Sequence, residues 1–311
     1  MTSSDKSKLA TQHGVFCQEA ADRYLDERNA VEDAADWKYA RWEARKMVIA
    51  AIRASRGLSD ISEALQASGR HMIAFRHLTA PPISQDQFRL LCKQWPKGTE
   101  KSGKPIKAVT ALAVASVFEE RRDRRLSPWL ELHRGPKFRE LASTLGSIAP
   151  LIASQRIQTS RRNRLAARQE DAVIALLEKR GWTKQASRLI TAGGSLPARH
   201  FMHKAKFASG KREIQEIDVA CGLGGTNVLA IECKVTNDAT NSIKRMNDVL
   251  KKATAWRNHW GSFVKPAAIL EGNIKVSDVE RLLDAGIEVF WSHRLDLFGN
   301  WLDSNVAATG S

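Results

Sequence analysis

The chain has 311 residues, is 43% hydrophobic and 27% charged, and carries a formal net charge of +15. That length and apolar content suit two domains with cores of their own and exclude a disordered polyelectrolyte. No apolar run is long enough to span a membrane, the opening MTSSDKSKLATQHG is too polar for a secretory signal, and the four cysteines (Cys17, Cys92, Cys221, Cys233) show no CxxC pairing, so a reduced, cytoplasmic protein without structural zinc is expected.

Residues 15–56 are rich in Ala, Glu and Arg and predict one or two helices. Gly57 and LSDISEAL open a second helical stretch, which Pro81-Pro82 ends because the proline ring removes a donor. KQWPKGTEKSGKPIK (93–107) is a polar loop. Helices are expected again over 108–125, 137–153 and 161–180. Most of the positive charge lies here: residues 101–200 hold 20 Lys+Arg against 8 Asp+Glu, chiefly in FEERRDRRLSPW (118–129) and QRIQTSRRNRLAARQ (155–169). Such a local field favours a polyanion, nucleic acid above all; the plainer alternative is a solvated helix face.

Strands are expected only after residue 185: SRLI (187–190), a hairpin over about 213–221 and 227–235, PAAILEG (266–272) and IEVFW (287–291). Helices are expected over 241–260 and 277–286. HFMHKAKF (200–207) is taken as a loop, either plain or touching DNA, and Trp256, Trp260, Trp291 and Trp301 as packing residues. The pattern predicts an α+β protein: a helical domain over 1–155, then a mixed sheet flanked by helices over 156–311.

The hairpin EIQEIDVACGLGGTNVLAIECKV (213–235) carries the chemistry. Glu232 and Lys234 are two residues apart on one strand and share a face. If the turn centres on Gly225, Asp218 stands opposite Glu232, at about 5 Å; a glycine bulge would shift that register. Two such carboxylates suit one Mg²⁺, and Lys234 can orient a water and neutralise charge on a phosphate in the transition state. Cys233 points to the opposite face, so its backbone carbonyl rather than its sulfur is the candidate further ligand.

Asp218, then Glu232-Cys233-Lys234, on two strands behind a helix, resembles the PD-(D/E)XK nuclease superfamily over about residues 161–291. Ile217 stands where many members have proline. The resemblance implies a helix-borne glutamate facing the metal, and Glu170 holds that place; otherwise it is a surface residue. IECKVTNDATNSIKR (231–245) is similar to the stretch around ExK in the XamI/SalI type of restriction endonucleases, with Asp238, Thr240, Asn241, Lys244 and Arg245 in place and Asn237 for glycine. LTAPPISQDQF (78–88) is similar to a TAPP segment in the same group.

The resemblance implies a Mg²⁺-dependent type II restriction endonuclease cutting double-stranded DNA. Asp218, Glu232 and Cys233 would hold the metal, with Lys234 and Glu170 as further site residues. Asn241, Lys244, Arg245, Arg161, Arg162 and Arg164 would bind DNA. Thr240 or Asn241 is expected to cap the following helix, while Lys251, Lys252 and Arg257 are read as solvated. A homodimer, a domain over 1–155 that grips or recognises DNA, and a cognate methyltransferase as a separate protein complete the expectation. The rivals are a repair or structure-selective nuclease of the same fold, and a non-catalytic nucleic-acid-binding protein in which the carboxylates merely pair with Lys234 and nearby arginines.

Overall fold

The computed structural model describes residues 3–26, 30–192, 194–208, 214–237 and 239–306, apart from the side chains of 3–10, 30–32 and 239–241. The chain divides into two compact units, one of residues 30–160 and one of residues 1–29 with 161–311. Among the described residues no helix is long and apolar enough to cross a membrane.

The first helix, α1 (Ser3–Asp26), belongs to the second of these units. The unit of residues 30–160 is helical: α2 (Ala30–Ala54), α3 (Ile61–Ala67), α4 (Met72–His77), α5 (Gln85–Leu91), α6 (Thr99–Ser102), α7 (Ala108–Arg121), α8 (Pro128–Glu131) and the first part of α9 (Phe138–Lys179). Local chemistry sets its boundaries. Asp60 caps α3 by accepting from the Glu63 amide, and Ser84 and Gln87 form a reciprocal capping box at α5. Val48, Leu65, Phe75, Phe118, Trp129 and Ile148 are buried in one core. A charged pair lies in this unit too: Arg76 Nε donates to Glu100 at 3.1 Å, and both side chains are almost fully buried.

α9 is one helix where two were expected. Its middle, SQRIQTS (154–160), holds neither glycine nor proline, and Pro150 is accommodated inside. Nothing there stops helix propagation.

The second unit is built on a six-stranded mixed sheet, with strand order β1 (Thr183–Gln185), β3 (His200–His203), β6 (Val219–Gly224), β7 (Asn227–Thr236), β8 (Val264–Gly272) and β9 (Glu288–Trp291). The chain between β1 and β6 also forms a small sheet of β2 (Leu189–Ile190), β4 (Lys206–Ala208) and β5 (Ile214–Glu216). In the large sheet β6 and β7 are antiparallel, while β7, β8 and β9 run parallel. Helices α10 (Ala239–Trp260), α11 (Val276–Asp284) and α12 (Leu295–Asn305) complete the unit. The fold is thus α+β, a mixed sheet flanked by helices, as the sequence pattern predicts.

Residue alternation along β7 divides the core. Leu229, Ile231 and Cys233 pack with Val173 and Leu177 of α9 and Phe298 of α12. Val228 and Ala230 point the other way, towards Trp256 of α10. Glu232 and Lys234 continue that second row past the apolar part of the strand.

Several expectations change here. HFMHKAKF is not a loop: it supplies β3, β4 and the turn between them. Phe201 and Met202 are buried on opposite faces, the alternation of a strand covered on both sides. The first hairpin strand is divided between β5 and β6, so Asp218 sits in the break rather than within a strand. The sequence boundary near 155 leaves α1 in the N-terminal half. Phe16, Cys17 and Ala20 of that helix instead share a core with Met246, Leu270 and Leu282, and Trp291 Nε1 donates to His13 Nδ1 at 3.0 Å. No element was expected beyond residue 291, where α12 lies with Phe298 and Leu302 buried.

Candidate active site

The hairpin turn closes at Gly225 and Thr226, with Gly224 at φ 101° and Gly225 at φ 56°, a left-handed backbone that glycine adopts without strain. A register shift does occur, between Gly222 and Gly224. It is confined to the turn end. Beyond it Val219 pairs Ile231, so the next position brings Asp218 level with Glu232, as symmetry about Gly225 requires. Asp218 then reaches across: its Oδ2 accepts from the Cys233 amide at 2.8 Å.

Glu232 is fully buried, and both its oxygens are engaged. Lys234 Nζ lies 2.5 Å from Oε2 and Lys252 Nζ 2.6 Å from Oε1. Lys234 Nζ is also 3.6 Å from Asp218 Oδ2, so one ammonium is shared by two carboxylates. Glu170, on α9, joins the group through other residues: Lys204 Nζ stands 2.7 Å from Glu170 Oε1 and 2.7 Å from Asp218 Oδ1, and His203 Nε2 is 2.7 Å from Glu170 Oε2. Three carboxylates and three lysines thus alternate around the end of the hairpin. With ammoniums between the acids, the described residues contain no ready-made cluster of three or more His, Cys, Asp or Glu side chains placed to hold a metal ion.

The electrostatics follow from this alternation. Burial alone would raise the Asp218 carboxyl, but the charges of Lys234 and Lys204 and the Cys233 amide hold it below the ordinary aspartate value. Burial would lower Lys234 and Lys204; their carboxylate partners outweigh it and hold both above the ordinary lysine value. The Cys233 thiol is driven well up, by burial first and then by the neighbouring carboxylates. Its sulfur therefore stays protonated in the core, a poor metal donor.

His203, Lys204 and Lys252 are additions to the expected set. Lys252, solvated in the sequence reading, also donates to the Glu216 carbonyl at 2.7 Å. Its signal was available: Val249, Lys252, Ala253 and Trp256 lie on one helical stripe whose other three members are buried. Arg257 is likewise engaged, with the carbonyls of Ala285 and Gly286. His203 and Lys204 had only the weak alternation of HFMH as a signal.

The expected DNA-binding residues are placed on two helices of this unit. Arg161 is half-buried on α9, and Arg162 and Arg164 are exposed there. Arg162 lies eight residues before Glu170, about 12 Å along the helix. On α10, Lys244 is exposed and Arg245 half-buried. Arg245 is held below the ordinary arginine value, by burial first and then by the charge of Arg162. α10 begins at Ala239, so neither Thr240 nor Asn241 occupies its cap position. The Asn241 side chain and residue 238 lie outside the described residues.

A family model described as XamI restriction endonuclease matches residues 56–291 of this chain. The chain belongs to the XamI restriction endonuclease family. That match takes in every residue of the carboxylate–lysine group, while α1 and α2 precede it. A curated relative, the "Type II restriction enzyme XamI" of Xanthomonas campestris pv. amaranthicola, is 32% identical over 194 residues, which are 61% of this chain and 67% of the relative. Among solved structures, a Vibrio cholerae protein is matched over 88% of this chain and 58% of its own length, with 10% identity and a TM-score of 0.33, too slight a likeness to bear on fold or function.

Proposed function

We propose that this type II restriction endonuclease hydrolyses phosphodiester bonds at a specific site in double-stranded DNA, with Mg²⁺ held by Asp218, Glu232 and the Cys233 carbonyl, and with Lys234 placing the attacking water. The observation that carries this reading is the shared ammonium: Lys234 reaches Glu232 at 2.5 Å and Asp218 at 3.6 Å, so oxygens of both acids converge at the end of the hairpin. The donor set suits the ion, since Mg²⁺ prefers hard oxygen ligands. The Cys233 amide is turned towards Asp218, and in an extended strand the carbonyl of a residue points to the same edge as its amide. Bound there, Mg²⁺ supplies a Lewis acid for a phosphoryl oxygen and lowers the pKa of a water.

The chain's own residues do the rest. The Lys234 ammonium orients the water and donates to phosphate oxygens as negative charge grows on them. Water adds to phosphorus and gives up a proton to solvent, the P–O3′ bond breaks, and the leaving 3′-oxygen takes a proton from solvent, so the ends carry 5′-phosphate and 3′-hydroxyl. Lys252 remains as the partner of Glu232 while Lys234 is engaged with substrate. Arg161, Arg162, Arg164, Lys244 and Arg245 hold flanking phosphates, and Asn241 lies in the first turn of α10, where amides and helix dipole favour an anion. Glu170 acts through Lys204 and His203. Cutting both strands calls for a homodimer, and a separate methyltransferase would protect host DNA in the cytoplasm.

Digestion of phage or plasmid DNA with Mg²⁺ tests this directly. Discrete fragments are expected, and Glu232→Ala or Lys234→Ala should lower the cleavage rate by about 10³-fold or more. Cleavage restricted to branched or damaged DNA would move the assignment to a structure-selective nuclease. Failure to cut with any divalent ion, or full activity in Glu232→Ala, overturns the site.

A further inference from the structure

Of the three lysines in the group, Lys204 is held most deliberately. It sits at the turn between β3 and β4 with φ 53°, a left-handed backbone that is unfavourable for an L-residue. The turn is tied down on both sides of the residue. Its amide donates to the Asp218 carbonyl at 2.8 Å, and its carbonyl accepts from Ser187 Oγ at 2.6 Å. Backbone strain maintained in this way concentrates at functional sites. The side chain then spans two acids from different elements, Glu170 on α9 and Asp218 beside β6, at 2.7 Å each. It is also the most exposed of the three, at 38% against 13% for Lys234 and 29% for Lys252, so its ammonium can turn into water without being stranded in the core.

We propose that Lys204 is a built-in counter-ion of the nuclease site: in the metal-free protein its ammonium occupies the place between Glu170 and Asp218, and it yields Asp218 when the divalent ion binds. The proposal rests on the reading of Asp218 and Glu232 as metal ligands and adds a competitor for the first of them. Lys204 keeps two mutually repelling acids assembled in the absence of metal, and it sets the metal concentration at which the site fills. Lys252 pairs with Glu232 and not with Asp218, and Lys234, which touches Asp218 only at 3.6 Å, is held at 2.5 Å by the fully buried Glu232 and is itself largely buried.

The test is direct binding of Mn²⁺ and Mg²⁺ to the full chain without DNA, by titration calorimetry, for the wild type, Lys204→Met, Lys204→Gly and Glu232→Ala. Lys204→Gly removes the ammonium and suits the positive φ, so it guards against a folding defect in the Met variant. Both Lys204 variants are expected to bind metal about tenfold more tightly than the wild type, a difference of about 1.4 kcal/mol, and Glu232→Ala to bind none. Unchanged or weaker binding in both Lys204 variants, with binding still lost in Glu232→Ala, overturns the counter-ion role and leaves the metal site standing. Absence of binding in the wild type and in both Lys204 variants removes the metal reading along with it.

Discussion

Each of the two units buries opposite charges, but they do so in different ways. In the helical unit the Arg76 guanidinium is matched entirely within the protein: Nε to both Glu100 oxygens, one terminal nitrogen to the Ile83 carbonyl and the other to Gln155. Burial still pushes Glu100 above the ordinary carboxylate value, despite the arginine beside it. At the end of the β6–β7 hairpin, three acids are paired with ammoniums on flexible stems, two of which keep more than a quarter of their surface in water. A closed pair keeps both of its charges out of reach of a ligand. An open one can exchange its internal cations for others, which is what a metal and phosphate site requires.

Breaking the closed pair should cost the most stability. Arg76→Met leaves Glu100 buried without a cation, and stability should fall by about 3–5 kcal/mol. DNA cleavage per folded molecule should stay as in the wild type. Lys234→Ala should show the converse, with lost cleavage and a much smaller stability change, since Lys252 still pairs with Glu232. Denaturant midpoints and cleavage rates measured on the same samples test the contrast. A loss of less than about 1 kcal/mol in Arg76→Met, the range of an exposed pair, would show that the pair is not closed.

His77 should also make the helical unit sensitive to acid. His77 is buried beside Arg76, with Nδ1 2.6 Å from the Ile73 carbonyl. Burial, and then the charge of Arg76, lower it from 6.5 to about 4. The folded protein therefore holds His77 neutral while the unfolded chain takes up a proton below pH 6.5. The contribution is fully present above about pH 6.5 and is lost as pH falls to about 4, about 3 kcal/mol at most. His77→Gln removes the titrating ring. Urea midpoints measured from pH 7 to pH 4 should fall less steeply in this variant, and equal slopes would assign the acid sensitivity elsewhere.

The same contrast explains what could be read from the sequence. Asp218, Glu232 and Lys234 were legible because a hairpin is local: strand alternation gives the face, and symmetry about Gly225 gives the register. The actual bulge, between Gly222 and Gly224, lies on the turn side of the site and leaves that register intact. Lys204 was not legible. Its place depends on a positive φ at a non-glycine residue and on two contacts, to Ser187 and Asp218, from other segments. Lys252 stood between these cases, since its position in the buried stripe of α10 was visible but its partner, Glu232, lies on another element. The continuity of α9 lies in residues 154–160, which separate the two expected helices yet contain no glycine or proline to break one.

The smallest expected effect concerns the rim of the open site. Arg162 and Arg245 lie close enough for one to depress the other, an arrangement that costs free energy in the absence of an anion. A phosphate between them would relieve the repulsion, so each arginine should count in the salt dependence of DNA binding. Arg245→Gln is expected to reduce the slope of log K against log salt by about 0.9, the value for one neutralised phosphate, and to do so equally on specific and unrelated sequences. Arg76→Met, whose guanidinium is satisfied internally, should leave the slope unchanged. If Arg245→Gln also leaves it unchanged, the cation pair is a feature of the fold, and the phosphate path runs elsewhere. If the slope changes only on the cleaved sequence, Arg245 reads bases instead, and the distinction between holding DNA and recognising it would fall within α10 itself.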